Sequence, residues 1–212
     1  SLQWIDKEDW IYEVSFDAGT LTRGYEHVRL EFLGLDTYAD VFLNETRILT
    51  ADNMFRRWAA EVKPLLKERG NVLRVYFHSP INKALPQYES LPYRYEAWND
   101  QADNGGLDGK KLSPFTRKAG YHYGWDWGPR LVTSGIWRPV KLQGWNELRL
   151  EDVFHRQTEV SSEAARVETQ VEIEAAAPVE NAVVTVSDGK RVLGSRSVQL
   201  HAGMNRVSVP FT

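Results

Sequence analysis

Trp10-Ile11-Tyr12-Glu13-Val14-Ser15-Phe16 is the stretch from which the fold is read. Trp10, Tyr12, Val14 and Phe16 fall on one face of an extended chain, and Ile11, Glu13 and Ser15 on the other. A two-residue period of this kind marks a half-buried strand. The same period returns at Val28, Leu30 and Phe32 and again at Leu73, Val75 and Phe77. Val41-Phe42-Leu43 is a shorter apolar run, expected to be buried on both faces. Helical signal is sparse. Pro64 to Gly70 reads as one or two turns, opened by proline and closed by glycine. Pro86 and Pro92 interrupt residues 81 to 98, so any helix there is expected to be short or broken. The chain is therefore expected to be all-β.

Residues 99 to 113 are expected to form a solvated, mobile loop. Its Asp- and Asn-rich start lacks the ligand spacing of a calcium loop. A compositional boundary follows near residue 146: all eight tryptophans lie before it and none after. Beyond it, Val167, Thr169, Val171 and Ile173 alternate with acidic or amide residues, as in a strand with one wet face. Asp188-Gly189 between apolar runs is a hairpin signal, because a type I′ turn needs two residues at positive φ. Residues 146 to 212 hold about five strands in roughly 65 residues, short of the roughly seven in about 100 of an immunoglobulin-like sandwich.

Composition narrows the function classes. The 212 residues are enough for a core without staples, and the 42% hydrophobic and 26% charged residues match a globular chain. The net charge is −3 and no basic block stands out, so no nucleic-acid partner is expected. No apolar run reaches about 18 residues, so no membrane-spanning helix is expected. Cysteine is absent, which removes disulfides and thiolate metal sites. His27, His78, His122, His155 and His201 are scattered without zinc spacing, and no metal or organic cofactor is implied. The eight Trp, nine Tyr and eight Phe suit a sandwich core or a sugar-stacking surface.

One motif carries chemistry: Gly124-Trp125-Asp126-Trp127-Gly128, followed by Pro129. A carboxylate accepts charge-assisted hydrogen bonds from sugar hydroxyls. An indole offers an apolar face to the C–H side of a sugar ring. The glycines permit a tight turn or a close approach. On a strand, Trp125 and Trp127 would share one face and Asp126 the other, and two core tryptophans with a solvated aspartate would need no function. His122 is a candidate to orient Asp126, although a satisfied histidine is the plainer reading. Arg117 and Lys118 are read as a solvated face. A retaining glycosidase needs two carboxyl groups roughly 5 to 5.5 Å apart. Glu89, Glu96 and Asp100 cannot be placed beside Asp126 from sequence.

Several stretches carry a family resemblance. Leu30 to Asn44, Asp52 to Phe55, Asn71 to Phe77 with Ser79-Pro80, and Gly135 to Val140 resemble the sugar-binding jelly-roll domain of glycoside hydrolase family 2. Arg117 to Pro129 resembles the β-mannosidase branch of that family. Glu45 departs from the family's usual glycine, which puts the hairpin turn there in doubt. The resemblance implies a jelly-roll, galactose-binding-like β-sandwich over residues 1 to 145, with its amino-terminal end missing, and a partial immunoglobulin-like β-sandwich over residues 146 to 212. It implies a parent that releases terminal non-reducing β-D-mannose by a retaining mechanism, with both catalytic glutamates on a (β/α)₈ barrel domain outside this chain. It also implies that Trp125, Asp126 and Trp127 contact substrate, which would be a β-mannoside oligosaccharide or glycan. The alternatives are a free-standing carbohydrate-binding module, a purely structural support domain, and a family member of other sugar specificity such as an exo-glucosaminidase. A homodimer is left open. So is location, with periplasmic or secreted ahead of cytoplasmic or lysosomal.

Overall fold

The computed structural model describes residues 2–212 and divides them into two compact units, one ending at Gly144 and the other spanning Trp145–Thr212. The first contains strands β1 (Trp10–Phe16), β2 (His27–Phe32), β3 (Leu35–Asp36), β4 (Tyr38–Leu43), β5 (Thr46–Asp52), β6 (Trp58–Glu61), β7 (Asn71–Phe77), β8 (Gly135–Ile136) and β9 (Val140–Trp145). Helices α1 (Gly19–Gly24) and α2 (Pro80–Ser90) are its α-helical elements. Strands β1-β7-β4-β5 form an antiparallel sheet, β6-β2-β9 a second sheet, and β3-β8 a short ladder.

The alternation at 28–32 and 73–77 is the sandwich core. Val28, Leu30 and Phe32 from one sheet meet Val41, Leu43, Leu73, Val75 and Phe77 from the other, all nearly or fully shielded from solvent. Each such side chain contributes roughly 1.5–3 kcal/mol by leaving water. Val41 and Leu43 are buried, while Phe42 between them is only half-buried, so that run has one core face. β1 departs further from expectation. It forms a strand, yet Tyr12 and Val14 are 45% and 53% exposed. Among the described residues the strand lies at the sheet edge, paired with β7.

The β4–β5 hairpin turns through Asn44 and Glu45, both at positive φ (49° and 68°). Glu45 thus keeps the tight turn despite replacing glycine, and its carboxylate lies 3.3 Å from Arg74 Nη1. Asn44 is stapled inward: its Nδ2 donates to Leu65 O (2.8 Å) and its Oδ1 accepts from Val72 N (2.9 Å).

Two expectations about the middle of this unit are corrected. The helix is neither short nor broken: α2 runs through Pro86 for 11 residues. Ser79 caps it by accepting from Asn82 N at 3.0 Å, and Pro80 opens it without needing a donor. Ile81, Ala84, Leu85 and Tyr88 form a stripe on one face of α2, packing into a second core with Ala102, Leu107, Leu112, Tyr123 and Val132. Burial of that stripe offsets the cost of an internal proline. Residues 99 to 113 are solvated only in part: Asn99, Asp103, Asn104, Asp108 and Gly109 are exposed, while the apolar positions pack inward. Ala102, Leu107 and Leu112 are buried, Asp100 Oδ2 accepts from Ser113 N (2.9 Å), and Asp103 Oδ1 from Gly109 N (2.7 Å). The Pro64 region forms a single 3-10 turn, Lys63–Leu65.

The second unit contains β10 (Leu148–Val160), β11 (Ala165–Ala175), β12 (Val179–Asp188), β13 (Arg191–Leu200) and β14 (Gly203–Phe211). β10-β11-β14 form one sheet and β12-β13 another. Thr169, Val171 and Ile173 point inward with Val207 and Val209, and the intervening Gln170 and Glu172 stay half-exposed. The β12–β13 hairpin turns one residue later than expected. Asp188 pairs with Arg191, so Gly189-Lys190 make the turn, and of these only Gly189 has positive φ (57°). A groove of about 840 Å³ runs between the two sheets, lined by Leu148, Leu150, Val171, Ile173, Val184 and Val186.

Candidate functional site

Trp125, Asp126 and Trp127 lie on an irregular loop rather than a strand, so the two tryptophans are not core residues. Trp127 is 85% exposed, Trp125 is 43% exposed, and Asp126 is exposed as well. Trp125 N donates to Gly128 O at 3.3 Å, closing a tight turn around Asp126, and Asp126 Oδ1 accepts from Trp127 N at 3.1 Å. Two indoles and a carboxylate are thus exposed on one short turn.

Buried anchors stand on both sides of this loop. Before it, Tyr123 ends a 3-10 turn (Gly120–Tyr123) and fills the second core. Burial pushes its hydroxyl pKa well up. Gly124 follows at φ 108°, where a Cβ would lie 2.8 Å from Gln101 Cδ. Only glycine meets both demands. After the loop, the fully buried Arg130 side chain places Nη1 2.6 Å from Asp6 Oδ2 and donates to Gln3 Oε1 at 2.7 Å. Burial raises the Asp6 pKa against the pull of Arg130. Gly105 leaves room for the guanidinium, since a Cβ there would stand 2.5 Å from Arg130 Cζ. Gln3 Nε2 in turn donates to Arg130 O at 2.7 Å.

Lys118 contradicts the reading of Arg117-Lys118 as a solvated face. Arg117 is exposed, but the Lys118 side chain is fully buried and pairs with Asp36 Oδ2, while also donating to Thr133 O. Thr37 Oγ1 donates to the other Asp36 oxygen. Burial lowers the Lys118 pKa, opposed by Asp36. His122 joins this cluster instead of orienting Asp126. Its Nε2 lies 3.9 Å from Asp36 Oδ2, and its Nδ1 meets Leu131 O at 3.1 Å. Burial and the Lys118 charge lower its pKa. Of the candidate carboxylates, Asp100 is buried in the fold, Glu89 pairs with Lys110 (3.0 Å), and Glu96 is exposed. Among the described residues no group of three His, Asp or Glu side chains is placed to hold a metal ion.

The chain is built mainly of strands and exposes two indoles and a carboxylate on one loop. It belongs to glycoside hydrolase family 2, whose galactose-binding domain-like model matches residues 1–138. Over 99% of its length the chain is 35% identical to β-mannosidase B of Thermothelomyces thermophilus, of which it covers 23%. It is 36% identical to the β-D-mannosidase of Dictyoglomus thermophilum, with a TM-score of 0.82 over 99% of this chain and 25% of that one. The exo-chitosanase of Amycolatopsis orientalis shares the fold at 18% identity and a TM-score of 0.63. The chain thus spans about a quarter of the length of these mannosidase relatives.

Proposed function

We propose that this chain is the amino-terminal, non-catalytic part of a retaining β-mannosidase that removes terminal non-reducing β-D-mannose, and that the Trp125-Asp126-Trp127 loop enters its substrate pocket. Residues 1 to 145 act as the sugar-binding jelly-roll domain and residues 146 to 212 as an immunoglobulin-like domain. The catalytic carboxylates come from a barrel domain beyond this chain. One observation carries the reading: two indoles and a carboxylate are held out to solvent between the buried Tyr123 and Arg130. Exposed apolar side chains grouped on one loop mark interaction sites, whereas scattered ones do not. Identity of 35–36% to two β-mannosidases supports the choice of sugar.

In this role Asp126 accepts hydrogen bonds from mannose hydroxyls, and an indole covers the ring's C–H face. A frame that fixes the carboxylate beforehand spares the ordering cost on binding. Contacts that tighten in the transition state raise turnover as well as affinity. The test is a panel of chromogenic aryl glycosides presented to the enzyme that carries this chain. Cleavage of the β-mannoside at least about 100-fold faster than the β-glucosaminide or β-galactoside supports the reading; a difference of that size rests on hydroxyl recognition. Preference for either other sugar overturns it.

A further inference from the structure

Gln101 lies outside the Trp-Asp-Trp turn, and its side chain reaches into it. Its Nε2 donates to Trp125 O, one residue before Asp126. The amide's orientation is fixed by a second bond, because Asn104 Nδ2 donates to Gln101 Oε1 at 2.9 Å. Its backbone is tied to the residue that precedes Gly124, with Gln101 N donating to Tyr123 O at 2.9 Å. Gly124 lies against the side-chain carbons with no room for a Cβ. Gln101 itself sits on a firm base, since Ala102 beside it is buried in the second core with Leu107 and Leu112. The loop's own closing bond, Trp125 N to Gly128 O, is long at 3.3 Å. The turn is therefore held by Gln101 from outside as well as by its own bonds.

We infer that Gln101 is a positioning residue for Asp126: its amide, held by Asn104, sets where the Trp125-Asp126-Trp127 turn presents its carboxylate to the sugar. This inference rests on the reading of that turn as substrate-contacting. Glutamate at 101 has the same volume but replaces the donor facing Trp125 O with an acceptor, so two oxygens would face each other and the turn must move.

The test is a double-mutant cycle on the enzyme that carries this chain, using a chromogenic aryl β-mannoside and the proteins wild type, Gln101→Glu, Asp126→Ala and the double variant. Gln101→Glu alone is expected to lower kcat/KM about ten-fold, and by about three-fold when Asp126 is already alanine, the remainder coming from the indoles displaced with the turn, because residues acting as a unit are not additive. The thermal midpoint should stay within about 2 °C of wild type. Equal losses in both backgrounds, or no loss from Gln101→Glu, overturn the positioning role. Loss on Asp126→Ala with none on Gln101→Glu removes this inference alone; no loss on Asp126→Ala removes the substrate-loop reading and the inference with it. Should Gln101→Glu fail to fold, Asn104→Leu frees the amide without adding charge. It is expected to cost about three-fold with the same dependence on Asp126, and additivity there overturns the role equally.

Discussion

Lys118 and Asp36 form an ion pair with their side chains 0% and 5% exposed, across 82 residues of sequence. The pair ties β3 to the segment that leads into the Trp-Asp-Trp loop. Removing one member of a buried pair strands the other charge, so Lys118→Ala is expected to cost about 3–5 kcal/mol. Replacing both, as Asp36→Leu with Lys118→Met, should cost less than that. Denaturant unfolding of the chain measures both, and a larger loss in the double variant than in the single one contradicts the pairing.

Acidification should destabilise the chain through His122. Burial and the neighbouring Lys118 charge lower its pKa below the usual 6.5. The unfolded state then takes up the proton first. Stability is full above the unfolded pKa and is lost as pH falls below it toward the folded value. His122→Gln should flatten the dependence of the unfolding midpoint between about pH 7 and pH 5, on the unfolded histidine pKa. An unchanged slope would show that His122 titrates normally.

Asp40 adds a separate loss at lower pH. Its partial burial works against ionisation but is outweighed by bonds from His78 (2.7 Å) and Thr50 (2.7 Å), and its pKa is lowered overall. A depressed carboxylate contributes stability above its unfolded pKa and loses it as pH falls through the folded one. Asp40→Asn should therefore be less stable than wild type at neutral pH, with the gap closing below about pH 4. A gap that persists at the lowest pH would mean the bonds survive protonation.

Trp127 and Phe77 should separate function from folding. Phe77 is fully buried in the sandwich core and Trp127 is 85% exposed. Phe77→Ala is expected to cost about 3–5 kcal/mol, and Trp127→Ala less than about 0.5 kcal/mol. On hydrolysis by the enzyme that carries this chain, only Trp127→Ala should lower kcat/KM at temperatures where both variants are folded. A large stability loss from Trp127→Ala would show that the indole packs rather than presents.

Much of the fold was legible because the core strands bury alternate residues. β2 and β7 announce themselves through Val28, Leu30 and Phe32 and through Leu73, Val75 and Phe77. β1 reads the same way yet lies exposed, because alternation reports a strand and not what covers it. The stripe at Ile81, Ala84, Leu85 and Tyr88 is helical in spacing, but Pro86 within it argued the other way. Residues 99 to 113 looked solvated because their buried apolar positions, Ala102, Leu107 and Leu112, stand too far apart to make a period. Trp125, Asp126 and Trp127 stand out by residue type, and they form an exposed turn where alternation allowed a strand. Its supports were not. Lys118 finds Asp36, Arg130 finds Asp6, and Gln101 finds Trp125 only once the chain is folded. No local pattern marks a lysine or arginine that will be buried.

The central claim is that Asp126 meets the substrate. Its most direct test is hydrolysis of a chromogenic β-mannoside by the enzyme that carries this chain, wild type against Asp126→Ala. Loss of a charge-assisted hydrogen bond should cost about 1.5 to 3 kcal/mol, a roughly ten- to hundred-fold fall in kcat/KM, with the thermal midpoint unchanged. Equal kcat/KM in the two proteins would contradict the account and return Asp126 to the solvent-facing surface.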